Sequence, residues 1–164
     1  MGPNFLLDLG VYLQTCAHIE LIVCALICEL EELEMNSTEW VLRHSELRKS
    51  KPKTLFNALR NAASRTTHPK AIEAETIHDL VDWMETYIGN RHIAAHGAFF
   101  WEPTGKLRVN YWHVDKSVTP NRRAIDETHI TKELVSEVID DADRILRSLW
   151  GALAQLGAVP AEQK

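Results

Sequence analysis

The 164 residues, 45% hydrophobic and 25% charged, are an ordinary composition for one globular domain with ample chain for a core. The first nine residues lack a basic segment and no small-residue cleavage site stands out, which argues against a secretory signal. The most apolar run, 21–28, is eight residues, against the roughly 20 a bilayer span needs, so the expectation is a cytoplasmic protein with no membrane partner.

The net charge of −5 speaks mildly against a nucleic-acid partner, but its distribution is uneven. Residues 41–70 hold eight basic residues (Arg43, Arg48, Lys49, Lys51, Lys53, Arg60, Arg65, Lys70) against the single acid Glu46. Such a segment is either a contact for a polyanion or a solvated surface that answers acidic helices of the same fold.

In chain order, a first helix is expected over residues 4–35. Its middle, 18–30, is apolar nearly all round, which implies burial on more than one side. Cys16, Glu20, Cys24 and Cys28 recur at steps of four. They are a conceivable metal stripe, or more simply a carboxylate among buried thiols that behave as small hydrophobes. A buried carboxylate needs a partner, and Arg91 is one candidate. The acids Glu29, Glu31, Glu32 and Glu34 are read as the solvated end of this helix.

Asn36-Ser37-Thr38 reads as a break and cap, followed by a short helix with Trp40, Val41 and Leu47 facing inward. After a basic connection through Pro52, Leu55, Phe56, Leu59, Ala62 and Ala63 predict a helix over 54–64. A longer helix is expected over 70–95, its stripe running through Ile77, Leu80, Val81, Met84 and Ile88 to Arg91 or His92. Gly97 is placed to cap it in the left-handed region. Beyond it, 99–101 and 107–114 read as a β-hairpin around the turn Glu102-Pro103-Thr104-Gly105. An isolated hairpin is marginal and must pack its aromatics on the helices. A loop is expected over 117–126. Thr131 then caps a last helix burying Leu134, Val138, Ala142, Ile145, Leu149 and Leu153, ended by Gly157 and Pro160. The overall expectation is a mainly α single domain over 1–164: an antiparallel helical bundle with a hairpin at about 98–114 before the last long helix and a tail at about 157–164.

The chemistry concentrates in Gly89-Asn90-Arg91-His92-Ile93-Ala94-Ala95-His96-Gly97. Arginine is a permanent cation with a fork of donors suited to phosphate oxygens. Histidine exchanges protons near neutral pH. Five residues on an ideal helix separate side chains by roughly 140° and about 7.5 Å. Arg91 and His96 therefore converge only if the helix ends and redirects His96, or if a second subunit completes the site. His92 and His96, one turn apart, could also bind zinc with His113 or Glu20. A purely structural role, with Arg91 on helix carbonyls and His96 capping the chain, is a further alternative.

Arg91, four residues, then His96, with polar His92 after the arginine and an Ala95-His96-Gly97 ending, resembles the R-x4-H signature of the HEPN superfamily. The resemblance implies a helical homodimer with both motifs facing one cleft. It also implies metal-independent endoribonuclease activity in a toxin–antitoxin or antiviral defence system, with RNA as substrate and an antitoxin or regulatory protein as a further partner. No cofactor or metal is expected. On this reading His96 is the general acid or base, Arg91 the phosphate clamp and His92 the second proton carrier or the source of an orienting hydrogen bond. Asn90, Lys49, Lys51 and Lys53 are candidate substrate-binding residues. The alternative is a non-catalytic HEPN-like module that binds nucleic acid or a nucleotide. One toxin group of that superfamily carries a tyrosine two residues after the motif histidine; here that position is Ala98.

Overall fold

The computed structural model describes residues 3–70, 72–115 and 122–157, with the backbone alone described at 3, 88–89, 112–115 and 122–126. Five helices, α1 (Pro3–Leu30), α2 (Thr38–Leu47), α3 (Pro52–Arg65), α4 (Ala74–His96) and α5 (Lys132–Leu156), enclose the core. Three strands, β1 (Ala98–Trp101), β2 (Leu107–Asp115) and β3 (Arg122–Ile130), lie between α4 and α5. The protein is thus mainly helical with one small antiparallel sheet, ordered β1-β2-β3.

Helix α1 is the central element. It packs along α5 on one side and α3 on another, and α3 packs in turn on α4. Val23, Leu26 and Ile27 of α1 meet Leu59 of α3, Ile77 and Val81 of α4, and Ile145 and Leu149 of α5 in a single core. The apolar period of each helix brings these faces together, and their removal from water is the main force holding the fold. The expectation built on the run 21–28 needs correction in one respect. Within Asn4–Leu30 an 18-residue stretch reaches a mean hydropathy of 1.8, so the helix is long and apolar enough to cross a membrane by length and composition. Of that apolar stretch 44% is buried inside the protein.

Helix α1 stops at Leu30, five residues earlier than expected. Glu31, Glu32 and Glu34 lie in the turn that follows, where Glu32 and Asn36 take positive φ of 57° and 63°. Ser37 caps α2 by accepting from the Trp40 amide at 3.1 Å. Val41 does not face inward; it is 50% exposed, while Leu47 is buried and Trp40 half-buried. In α3, Leu55, Phe56, Leu59, Ala62 and Ala63 are all buried, as their spacing predicts. Thr131 caps α5 through the Leu134 amide at 3.2 Å, and Gly157 ends it in the left-handed region at φ 91°. Pro160 and the tail at 158–164 lie outside the described residues.

Between Trp101 and Leu107 the chain reverses through a Gly105 to Glu102 bond of 2.9 Å, with Gly105 at φ 79°. That positive φ suits glycine and sets the twist of the hairpin. Residues 122–126, expected in a loop, instead begin β3, which pairs with β2 along its whole length from Leu107↔Ile130 to Asp115↔Arg122. The hairpin is therefore two strands of a three-stranded sheet. Only some of its aromatics pack on helices. Phe99 meets Phe5 of α1 edge-on at 5.3 Å, whereas Phe100 and Trp101 are 45% and 52% exposed.

Gly97 is not a left-handed cap. It is extended at φ −71°, ψ 144°, and its amide donates to the Ile93 carbonyl at 2.8 Å. Its requirement is spatial. A Cβ there would stand 2.4 Å from Val109 Cγ2 and 2.5 Å from the Ile93 oxygen. The bare backbone lets β2 close on the end of α4, which fixes where the histidines end up. Replacing Gly97 with alanine should cost about 1–3 kcal/mol in chemical denaturation, the usual range for over-packing.

Asp141 of α5 is buried, 8% exposed, and accepts a 2.6 Å hydrogen bond from the Tyr87 hydroxyl of α4. Arg144 stands 3.7 Å from its other oxygen. A buried charge that loses its donor is costly, so Tyr87→Phe should lower unfolding stability by about 1–3 kcal/mol.

Candidate functional site

The motif occupies the last two turns of α4, which remains helical through Gly89 to His96. Arg91 continues the inward-leaning stripe and reaches α1, where its Nη2 lies 3.0 Å from Glu20 Oε1. Each side chain of this ion pair is 30% exposed. The partnership expected for a carboxylate inside an apolar helix is thus present. At this exposure the pair contributes on the order of 1 kcal/mol or less. Its importance is positional, since it ties the motif to the central helix. Among the described residues, no other acid pairs with Arg91, so much of its donor fork remains open to an anion.

His92 and His96 lie one turn apart with their rings stacked, centroids 6.2 Å apart and planes 23° from parallel. His92 is half-buried and His96 exposed. Because α4 stays helical through His96, the two sides of the motif diverge. Arg91 points to α1 while His96 leaves the helix roughly 140° further round. A single chain brings Arg91 to Glu20 and His92 to His96, and does not fold Arg91 and His96 onto one atom. The zinc alternative loses Glu20, which is engaged by Arg91. Among the described residues no three metal-ligating side chains cluster, and the His113 side chain lies outside those described.

The cysteine stripe has a different meaning from metal binding. Cys16, Cys24 and Cys28 are buried and free. Burial pushes the Cys24 thiol up to about 11 and Cys28 up to about 12, and raises Cys16 as well. The same stripe collects arginines from two neighbouring helices. Arg91 acts electrostatically on Tyr12 and Cys16, Arg48 on Cys24, and Arg43 on Cys28. Two of these arginines are tied to acids in or just past α1, Arg91 to Glu20 and Arg43 to Glu31. Arg43 is held by Glu31 through bonds of 2.6 and 2.8 Å and by Glu46 at 3.1 Å. Arg48 is exposed and has no side-chain ion pair among the described residues.

Arg48, part of the basic segment in the sequence, ends α2, the short helix that packs on α1. Lys49, Lys51 and Lys53 are exposed at the α2–α3 connection and the start of α3. Lys53 acts on Glu85 of α4, and no contact joins the three lysines to Arg91. Arg60, from the same segment, is bound to Asp82 and Glu85 and so answers an acidic face of α4. The basic segment thus divides between structural pairing and open charge. Asn90 turns away from Arg91 and lines an apolar cavity with Asp8 of α1.

Compared with protein-family models, with curated proteins and with solved structures, the chain matches none of them.

The buried thiols are protonated and shielded at neutral pH. At pH 8 an aromatic disulfide reagent should label the native protein at least about 100-fold more slowly than the denatured chain, as the displaced thiol ionisation demands. Because the native values lie above the ordinary 9.0, the stabilisation from neutral buried thiols is complete below pH 9. It falls away as pH rises towards 11–12, which pH-dependent denaturation would register.

Proposed function

We propose that the protein is a HEPN-like, metal-independent endoribonuclease that works as a homodimer in an antiviral or toxin–antitoxin setting. The observation that carries this reading is the half-exposed Arg91, steered by Glu20 and adjoined by the stacked His92 and His96 at one helix end. The chemistry needs three things: a base for the ribose 2′-hydroxyl, an acid for the departing 5′-oxygen, and a cation for the phosphorane charge. Histidine and arginine supply all three. The 2′-oxygen forms its bond to phosphorus as the bond to the 5′-oxygen breaks, leaving a 2′,3′-cyclic phosphate end. The exposed, unpaired Arg48 together with Arg91 supports an approach by a polyanion. The divergence of Arg91 from His96 supports a site completed by a second copy, with the arginine of one protomer facing the histidine of its partner.

Purified protein should cleave single-stranded RNA in the presence of EDTA. Arg91→Ala and His96→Ala should each slow cleavage by about 100-fold or more, with circular dichroism unchanged. An equimolar mixture of the two variants should recover activity if the partners complete each other's sites. Cleavage that proceeds unaltered in both variants would falsify the assigned roles.

A second reading is favoured by the exposed basic residues Arg48, Lys49, Lys51 and Lys53 at the end of α2 and the start of α3. If no second copy completes the site, the protein is a non-catalytic nucleic-acid- or nucleotide-binding module. It then binds RNA in a salt-dependent way through Arg48 and Arg91, yields no cleavage products, and tolerates His96→Ala without loss of affinity.

A further inference from the structure

Behind the motif, α1, the end of α4, the sheet and α5 surround an apolar cavity of about 120 Å³. Phe5, Tyr12, Phe99 and Val138 are among its walls. For scale, an apolar cavity of about 150 Å³ holds a benzene ring. Among the described residues Asp8 of α1 is the one charged side chain lining this chamber, and Tyr12, Asn90 and Thr128 are its polar ones. Among the described residues, neither Asp8 nor Asn90 has a side-chain hydrogen bond or ion pair. The same Asp8, with Phe5, Ile130, Val135 and Ile139, also borders a wider cleft of about 820 Å³. The carboxylate therefore stands at the passage between an open vestibule and an apolar interior.

From this juxtaposition we infer a binding site for a small organic cation: a primary amine on a compact aliphatic body smaller than a benzene ring. Few convergent polar groups in an otherwise apolar, concave chamber are the usual form of a small-molecule site. A carboxylate facing apolar walls gains most from a cation that brings its own hydrocarbon. The ammonium would donate to Asp8 and to the Asn90 side-chain carbonyl while the body fills the space beside Phe5 and Phe99. Aromatic walls add attraction for a cationic head. Lys106, His129 and Lys132 line the vestibule and Asp140 faces it too, but none of these lines the inner chamber. The site is independent of RNA cleavage, and its measurement needs no activity. It does share a helix with the motif, since Asn90, Ile93 and Ala94 line the chamber between Arg91, His92 and His96.

The experiment is calorimetric titration of the full chain with isobutylamine, with isobutanol and 3-methylbutanoate as charge controls. The amine should bind about tenfold or more tighter than the alcohol, the usual gain from a charge-assisted bond. Asp8→Asn should bring the two to similar affinity while leaving the fold unchanged. Ala94→Leu, which fills the chamber from α4, should weaken both. Three outcomes overturn the proposal: no saturable binding of the amine, an amine preference that survives Asp8→Asn, or preferential binding of the carboxylate. The last would locate the head group at Lys106 and Lys132 in the vestibule instead.

Discussion

A carboxylate in the middle of an apolar helix constrains everything around it. Glu20 sits between buried Cys16 and Cys24 on the helix that forms the centre of the core. Its side chain is 30% exposed, so a partner there orients the charge more than it stabilises the fold. The partner comes from α4, whose Arg91 crosses to Glu20. That single crossing sets the rotation of the end of α4. With Arg91 committed towards α1, Asn90, Ile93 and Ala94 turn to the cavity beneath the sheet, and His92 and His96 form their own stacked column. The close seat of Val109 on Gly97 then fixes the exit of the chain.

The four faces of this helix end divide the work between stability and chemistry. An ion pair as exposed as this one adds little to folding free energy. It orients a guanidinium that keeps donors in reserve. The neighbouring positive charges behave differently from one another. Arg43 and Arg60 are consumed by acids of the same molecule, whereas Arg48 is left open beside the α1 stripe. Net charge alone conceals this, because what matters to an incoming anion is the charge left uncompensated on one edge.

Much of the helical architecture was legible in the sequence because apolar periodicity survives into packing. The cores of α3, α4 and α5 and the caps at Ser37 and Thr131 follow from local rules. So did the need of Glu20 for a partner, since the cost of an orphan carboxylate is independent of the fold. The misses have physical reasons. Gly97 matched a left-handed cap by position, but its true constraint is the approach of a distant strand. Val41 fitted an amphipathic stripe on a helix too short for the pattern to decide. Asp141 gave no signal because Tyr87, its donor, lies 54 positions away. The Asp8 chamber depends on contacts between helices and the sheet, so it could not be read from spacing. Strand β3 was hidden for another reason: Arg122, Arg123, Asp126 and Glu127 are charged, no apolar alternation marks it, and its place is set by the backbone ladder to β2.

That hydrophilic strand has a consequence for how the protein behaves at high concentration. A three-stranded sheet leaves two outer rims of unsatisfied amides and carbonyls, the natural starting points for runaway strand-to-strand association. One rim belongs to β1 and is only four residues long. The other belongs to β3, whose sequence Arg-Arg-Ala-Ile-Asp-Glu-Thr-His-Ile interrupts any apolar run with charges of both signs. A neighbouring molecule attempting to extend the sheet there would have to match that charge order as well as the backbone. Its polarity is thus a safeguard against polymerisation through the sheet.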